Sequence, residues 1–576
     1  MMPIWRILIF LGSTFNLLTG QQGERAERIL LNQAGYRPGD RKIAFIRTVP
    51  GDEFEVMNLA TNKPILNGKV GALGINDRNT GDSMHEIDFS SLKSPGRYQL
   101  RIRETSMVSP EFVVAADVYD VATLASIESF YYQRCGTEMD NGTPWRHPPC
   151  HTADAVFFDK PSEHMDVTGG WHDAGDYGKF VATAAVSAAC LLSLHELHPS
   201  KFVDGQLSIP EAGNRIPDLL DEVRWELEWL LKMQRRDGGV HHKVSTKKWT
   251  GEYLPDRDPD QRYIFGVSSA ATGAFAAVMA QAARIYDHFD PPFAQRLLRS
   301  SIHAWKFLEA NPSIVPSGGF RNPPGVEGGE YGDTKDEDER LWGAAELYRT
   351  TGSLEYHRYF LTRFKQLGGM TYTVSWQNVQ NFAYYSYMMG PREALDNDAR
   401  AFIVATLTRY ADRLLGRIEE NGYRHVLGAE EYYWGSNSVA LGYALDLIQA
   451  FRILGSARYR EGALDQLHYI LGRNPFDQTF ITGVGDRPVK HPYHQFSMML
   501  RAGSPVPGLI VGGANKNGRL RGKVLSGFPG KCYEDNGKNY YVNEVAINYT
   551  APFTYVAGFF SSLAEGKERV GSIGGR

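Results

Sequence analysis

The chain has 576 residues, 42% hydrophobic and 22% charged, a balance that excludes a disordered or fibrous protein and allows more than one domain. Its formal net charge is −4 and it carries no basic tract, which argues against a nucleic-acid partner. Four cysteines in so long a chain are too few for a disulfide scaffold.

Residues 1–20 contain the apolar runs Ile4-Trp5 and Ile7-Leu8-Ile9-Phe10-Leu11 and end in small or polar residues at Thr19-Gly20, the pattern of a signal peptide. The run is too short for a transmembrane helix, so the expectation is export to a secreted or periplasmic location with no stable membrane insertion. From Arg28 to Val114, short apolar or alternating runs at Lys42 to Ile46, Glu53 to Met57 and Gly96 to Ile102 are separated by Gly, Asn, Asp and Pro turns. This texture predicts a small β-sandwich over 24–115. After Val118 it gives way to helical spacing, as in Ile216, Leu219, Leu220, Val223, Leu227, Leu230 and Leu231. Further helices are predicted at Val118 to Tyr132, Ala182 to Leu197, Ser268 to Tyr286, Leu298 to Ala310, Leu341 to Thr351, Ala399 to Leu415, Ser438 to Leu454 and Ala463 to Leu471. The region 118–567 therefore reads as one all-α domain.

Several residues along this frame carry chemistry. Cys135 and Cys150 fall in a polar, Pro-containing loop with His151 beside the second. Two thiolates and an imidazole are three quarters of a tetrahedral zinc site, and a disulfide is the alternative. Cys190 lies in an apolar run and reads as core packing. Between Gly169 and Phe180, Asp173 and Asp176 stand three apart among glycines and aromatics. Carboxylates at i and i+3 of a helical turn point into one small volume and suit base catalysis on a water, although Asp and Gly are also ordinary loop and cap residues. Asp333, Asp336, Asp338 and Glu339 precede a helix, either as oxygen ligands for calcium or as a solvated helix start. Trp376, Trp434, Tyr540 and Tyr541 are placed in a cleft where a sugar ring could rest on their faces, with core packing as the alternative. Glu544, set among Tyr540, Tyr541, Val542 and Val545, is where a carboxyl pKa would rise and make a general acid. One raised carboxyl and one carboxylate is the division of labour that glycoside hydrolysis needs. No Gly-x-Gly-x-x-Gly after a strand, P-loop or Gly-x-Ser-x-Gly is present to support redox, phosphoryl or serine chemistry.

The segment Asp173-Ala174-Gly175-Asp176 and the pattern Tyr533-x-Asp535-x4-Tyr540-x3-Glu544-x-Ala546 resemble the signatures of glycoside hydrolase family 9. Ile216 to Glu222 with Trp229 to Met233, Tyr433 to Ser438 and Tyr469 to Pro475 resemble further pieces of that family, in its order. The resemblance implies a multidomain protein, an Ig-like β-sandwich followed by a six-hairpin α/α barrel. It also implies an inverting enzyme in which Glu544 is the general acid, Asp176 the base, Asp173 a holder of the attacking water and Asp535 a residue that orients the acid end. Members with the Ig-like domain carry a similar Cys, Cys-His, His arrangement binding structural zinc, which implies His172 as the fourth ligand beside Cys135, Cys150 and His151. An Asp-Glu pair that helps hold calcium in the family is matched by Asp338-Glu339, while Trp376-Gln377-Asn378 has amides where a carboxylate is expected.

Two departures stand out against the resemblance. Pro492-Tyr493-His494-Gln495 occupies the place of a usual Pro-His-His-Arg, which implies that Tyr493, His494 and Gln495 line a sugar subsite of altered charge and shape. Thr550 stands where Asn is usual. The resulting reading is an exported, inverting endo-β-1,4-glucanase acting on a β-glucan oligo- or polysaccharide. An exo-acting β-glucosidase or β-glucosaminidase is the alternative within the family, and a non-catalytic carbohydrate-binding relative is the alternative outside catalysis. The preferred polymer, the endo or exo mode and the oligomeric state are encoded in no motif.

Overall fold

The computed structural model describes residues 28–48, 51–74, 76–391 and 394–563, so the predicted signal peptide at 1–20 lies outside the described residues. The N-terminal part contains β1 (Ile43–Ile46), β2 (Glu53–Asn58), β3 (Lys63–Lys69), β4 (His85–Asp88), β5 (Gly96–Ile102) and β6 (Phe112–Val114). An antiparallel sheet in the order β3-β2-β5-β6 and a second pair, β1-β4, enclose one core. Alternation decides which side chains enter it: Tyr98, Leu100 and Ile102 of β5 point in and the residues between them point out. Strand β1 is apolar on both faces for a reason. Ala44 and Ile46 pack into the sandwich, whereas Ile43 and Phe45 pack into the core of the helical region that follows.

That region is built from α1 (Asp120–Tyr131), α2 (Val181–Leu197), α3 (Asp218–Met233), α4 (Ser269–Tyr286), α5 (Pro291–Ala310), α6 (Glu337–Thr351), α7 (Leu354–Arg363), α8 (Gln380–Met388), α9 (Asn397–Glu420), α10 (Ser436–Leu454), α11 (Ala457–Ile470), the short α12 (Gln495–Leu500) and α13 (Tyr540–Asn543), and α14 (Ile547–Phe560). Helices α2, α4, α6, α8, α10 and α14 each touch the next, and α14 closes on α2, so six helices form an inner ring. Six others, α1, α3, α5, α7, α9 and α11, lie outside against α14, α2, α4, α6, α10 and α10. Composition explains the two layers. Inner α2 and α4 are rich in alanine and buried almost all round, whereas outer α5 buries only Phe293, Ala294, Leu297, Ser301, Ala304, Trp305, Phe307 and Leu308 along one stripe.

Helix α5 starts seven residues earlier than the apolar spacing predicts, because Asp290 accepts the Phe293 N–H at 3.1 Å and prolines occupy the first turn. Among the described residues no helix is long and apolar enough to cross a membrane.

The order of elements matters most for function. The segments just ahead of the inner helices carry the chemically distinctive residues: Asp173 and Asp176 before α2, Tyr331 before α6, Trp376 before α8, Trp434 before α10 and Glu544 before α14. A small sheet in the order β7-β10-β9-β8, from β7 (Val156–Phe157), β8 (Lys179–Phe180), β9 (Lys243–Ser245) and β10 (Tyr263–Ile264), braces this face.

Candidate active site and metal centre

Backbone hydrogen bonds lace three distant segments together around the paired aspartates. Ala174 bridges Ala546, and the Ile547 N–H donates to the Asp173 carbonyl at 2.8 Å. The Gln495 N–H donates to the Gly175 carbonyl at 2.8 Å, and the Tyr493 N–H to Asn543 at 2.8 Å. The loops bearing Asp173, Asp176, Tyr493 and Glu544 thus form one rigid floor. Gly175 is obligatory in it: an added Cβ would sit 2.4 Å from the Tyr493 carbonyl oxygen and 2.6 Å from its ring. Gly175→Ala should cost about 1–3 kcal/mol through overpacking and lower kcat. An unchanged melting curve and rate would show that the floor is softer than drawn.

The carboxyls on this floor differ in environment. Asp173 is 1% exposed; its Oδ1 accepts from the Thr183 hydroxyl and its Oδ2 from the Tyr331 hydroxyl at 2.8 Å. Burial, with a contribution from the Asp176 charge, pushes its pKa up to about 7. Asp176 is also raised, chiefly by burial, while the Gly178 N–H and the charges of Arg262 and Lys243 pull it back. Glu544 is pushed well above the usual carboxylate range by burial and by the negative charges of Asp176 and Asp173. The Trp434 indole N–H donates to Glu544 Oε2 at 2.9 Å and fixes that carboxyl.

Aromatic rings flank Glu544. Trp434 is 39% and Tyr540 40% exposed, with ring centroids 5.6 Å apart. Tyr540 stacks on Tyr541 at 4.6 Å and meets Tyr493 at 5.8 Å. Trp376 stands edge-on to Tyr331 at 5.0 Å. Sequence reasoning missed Tyr331 and Thr183. Tyr331 has a left-handed φ of 45° in a glycine-rich loop, and its only sequence signal was an aromatic among glycines.

Three expectations need correction. His494 is 2% exposed and both its ring nitrogens are occupied, Nε2 by Gln133 at 2.9 Å and Nδ1 by Ser497 at 2.8 Å, so it braces the floor and offers no free edge to a sugar. Gln495 is 1% exposed and donates to the Thr250 carbonyl at 3.3 Å, tying down the 249–253 segment and not lining a subsite. The Asp535 carboxylate accepts from Gln478 Nε2 at 3.0 Å and from the Lys490 and His491 N–H groups at 2.9 Å, so it anchors the segment leading to Tyr493 and acts on the acid end only at a distance. Tyr493 remains at the floor beside Tyr540.

Cys135, Cys150, His151 and His172 form a second centre behind the aspartate loop, their ligand atoms all within 4.8 Å of one another. Both cysteines are free thiols. Cys135 Sγ is 3.7 Å from His151 Nδ1, Cys150 Sγ is 3.9 Å from His172 Nε2, and the two ring nitrogens are 3.4 Å apart. A tetrahedral ion with bonds of ~2.0 Å to nitrogen and ~2.3 Å to sulfur requires edges of roughly 3.3–3.8 Å, so the donor set fits a metal ion. Asp258 approaches the other nitrogen of His151 at 3.3 Å, as a carboxylate that orients a ligating imidazole would.

Of the acidic cluster, the charges of Asp338 and Asp333 act on Glu339, while Asp336 turns to Arg340 at 2.8 Å. Asp338 Oδ2 accepts from the Val379 N–H at 2.8 Å. Buried Asp333 Oδ2 and Glu339 Oε2 have no hydrogen-bond partner, and burial plus the charges of Asp338 and Asp333 raise Glu339 well above its usual range. Protonation or a hard cation would relieve orphaned carboxylate oxygens of this kind.

The comparisons with known proteins agree with this geometry. A family model described as Glycosyl hydrolase family 9 matches residues 119–557, and one described as Cellulase N-terminal ig-like domain matches 24–106. Endoglucanase D of Acetivibrio thermocellus is 34% identical over 542 residues, covering 92% of this chain and 83% of that protein. The crystal structure of a metagenome-derived glycoside hydrolase family 9 endoglucanase superposes with a TM-score of 0.86 at 36% identity, over 93% of this chain and 99% of that one. A zinc-binding triple mutant of a family 9 endoglucanase gives a TM-score of 0.85 at 36% identity, over 92% of this chain and 100% of its own.

Proposed function

Because the chain belongs to glycosyl hydrolase family 9 and is thus a glycoside hydrolase, we propose that it is an exported enzyme that cleaves β-1,4-glucosidic bonds of a cellulose-like β-glucan with inversion. The observation that carries this reading is the meeting of Glu544, raised and fixed by Trp434, with the Asp173–Asp176 loop on one aromatic-flanked floor. Glu544 enters the reaction protonated and gives its proton to the leaving oxygen as the bond to the anomeric carbon breaks. Asp176 takes a proton from the water that attacks the opposite face, and Asp173, held by Tyr331 and Thr183, fixes that water. Solvent exchange restores both carboxyls. Trp434, Tyr540 and Trp376 supply ring faces for sugars, and Tyr493 shapes the floor beneath them.

Residues 1–20 act as the signal peptide in this reading. Zinc, when bound by Cys135, Cys150, His151 and His172, ties the aspartate loop to the loop before it and supplies no chemistry at the scissile bond. Calcium at Asp338 and Glu339, with Asp333, would hold the approach to α6. Inversion demands one water between carboxyls roughly 6.5–9.5 Å apart. Proton NMR of cellotetraose hydrolysis should show the α-anomer first. A β-anomer as first product would overturn inversion, and the absence of any reducing-end release would overturn the β-1,4-glucanase reading.

A further inference from the structure

Lys243 is fully buried on β9, yet it is a lysine. Its ammonium donates to Asn322 Oδ1 at 2.7 Å and to the Gly329 carbonyl at 2.6 Å, and lies 4.4 Å from the Phe265 ring centroid and 5.6 Å from that of Phe180. Burying an ammonium is costly unless such partners meet it. A methionine of similar length would fill the same space without that cost, so packing does not explain the choice.

The partners lie on a single loop, residues 320–332, closed on itself by Asn322 Nδ2 to the Gly328 carbonyl at 2.6 Å and the Asn322 N–H to Glu330 at 2.9 Å. The neighbouring His242 bonds the Glu330 carbonyl at 3.0 Å and stacks on Phe320 at 3.8 Å. The loop ends in Tyr331, whose left-handed backbone aims its hydroxyl at Asp173. On the other side, β9 pairs with β8, Phe180 opposite Lys243, and β8 continues directly from the Asp173–Gly178 segment. The Phe180 ring touches Tyr331 at 4.6 Å. The charged groups facing the ammonium are Asp176 and Glu330.

We propose that Lys243 is a positioning residue of the hydrolytic site: it clamps the 320–332 loop so that the Tyr331 hydroxyl is delivered to Asp173, on the side of the site where the attacking water is held. This rests on the assignment of Asp173 to that water, and the test separates the two. Wild-type turnover of cellotetraose establishes the reaction. A double-mutant cycle between Lys243 and Tyr331, read on the pH-independent plateau of kcat so that loss of the Lys243 charge near Asp176 does not enter, then tests the clamp.

Lys243→Met and Tyr331→Phe should each lower kcat roughly tenfold, with KM within about twofold, because the reacting geometry is lost and substrate binding is kept. The double variant should be no slower than the slower single variant. Losses that multiply in the double variant, or an unchanged kcat in folded Lys243→Met, would overturn the proposal. Asn322→Ala removes one of the two acceptors and should give a smaller loss of the same kind. If Lys243→Met does not fold, the cycle of Asn322→Ala with Tyr331→Phe decides, non-multiplying losses supporting the clamp and multiplying losses or an unaltered rate refuting it.

Discussion

Glu544→Gln should lower kcat on cellotetraose by roughly two to four orders of magnitude, the range that a positioned general acid contributes, with little change in thermal stability. The amide keeps the shape and the hydrogen bond from Trp434 but has no proton to give. On a substrate with a dinitrophenyl leaving group, which departs without protonation, the loss should shrink to roughly tenfold or less. Equal losses on both substrates would remove Glu544 from the acid role.

The pH profile carries the same information with a definite sign. In the proposed mechanism Asp176 acts ionised, so the rate should fall as pH drops through its raised pKa, and Glu544 acts protonated, so the rate should fall as pH rises through its own, well-raised pKa. The working window therefore lies above the ordinary carboxylate range of ~3.9 to ~4.3. Glu544→Gln should flatten the alkaline limb and Asp176→Asn the acid limb. An alkaline limb that survives in Glu544→Gln belongs to another group.

Stripping the metal should be the largest effect on stability. The four donors of the proposed zinc centre come from three stretches of chain, Cys135, Cys150-His151 and His172, and His172 is joined directly to Asp173. A structural zinc is worth on the order of 10 kcal/mol. An unfolding entropy of ~2.1 cal/mol/K per residue makes each kcal/mol worth only about 1 °C in a chain of this size. Chelation, or Cys150→Ser, should thus lower Tm by roughly 5–10 °C and release about one zinc per chain. Activity should fall with it, because the loop that carries Asp173 loses its tie. Protein that contains no metal as purified and melts at the same temperature in chelator would end the zinc assignment.

Much of this protein is legible locally, for physical reasons that are themselves local. Strand alternation at Gly96 to Ile102 and the apolar spacing of α3 are set by a side-chain period, so they need no partner to be read. The paired Asp173 and Asp176, and Glu544 among its aromatics, are also short-range patterns whose chemistry follows from residue type. The direction in which a side chain points is another matter. Tyr331 reaches Asp173 across 158 residues, His494 reaches Gln133 across 361, and Asp535 turns to Lys490 and His491, none of which spacing predicts. His494 and Gln495 read as sugar contacts in sequence, but the bridge between Tyr493 and Glu544 and the bond from Gln495 to Gly175 turn both side chains inward. The closing of α14 on α2 brings Glu544 to the aspartate loop, 371 residues after Asp173 in the chain. Periodicity and composition act within a segment and so determined the elements and the chemistry available; the packing of one segment against another is long-range, and it alone decided which of those residues face the same space.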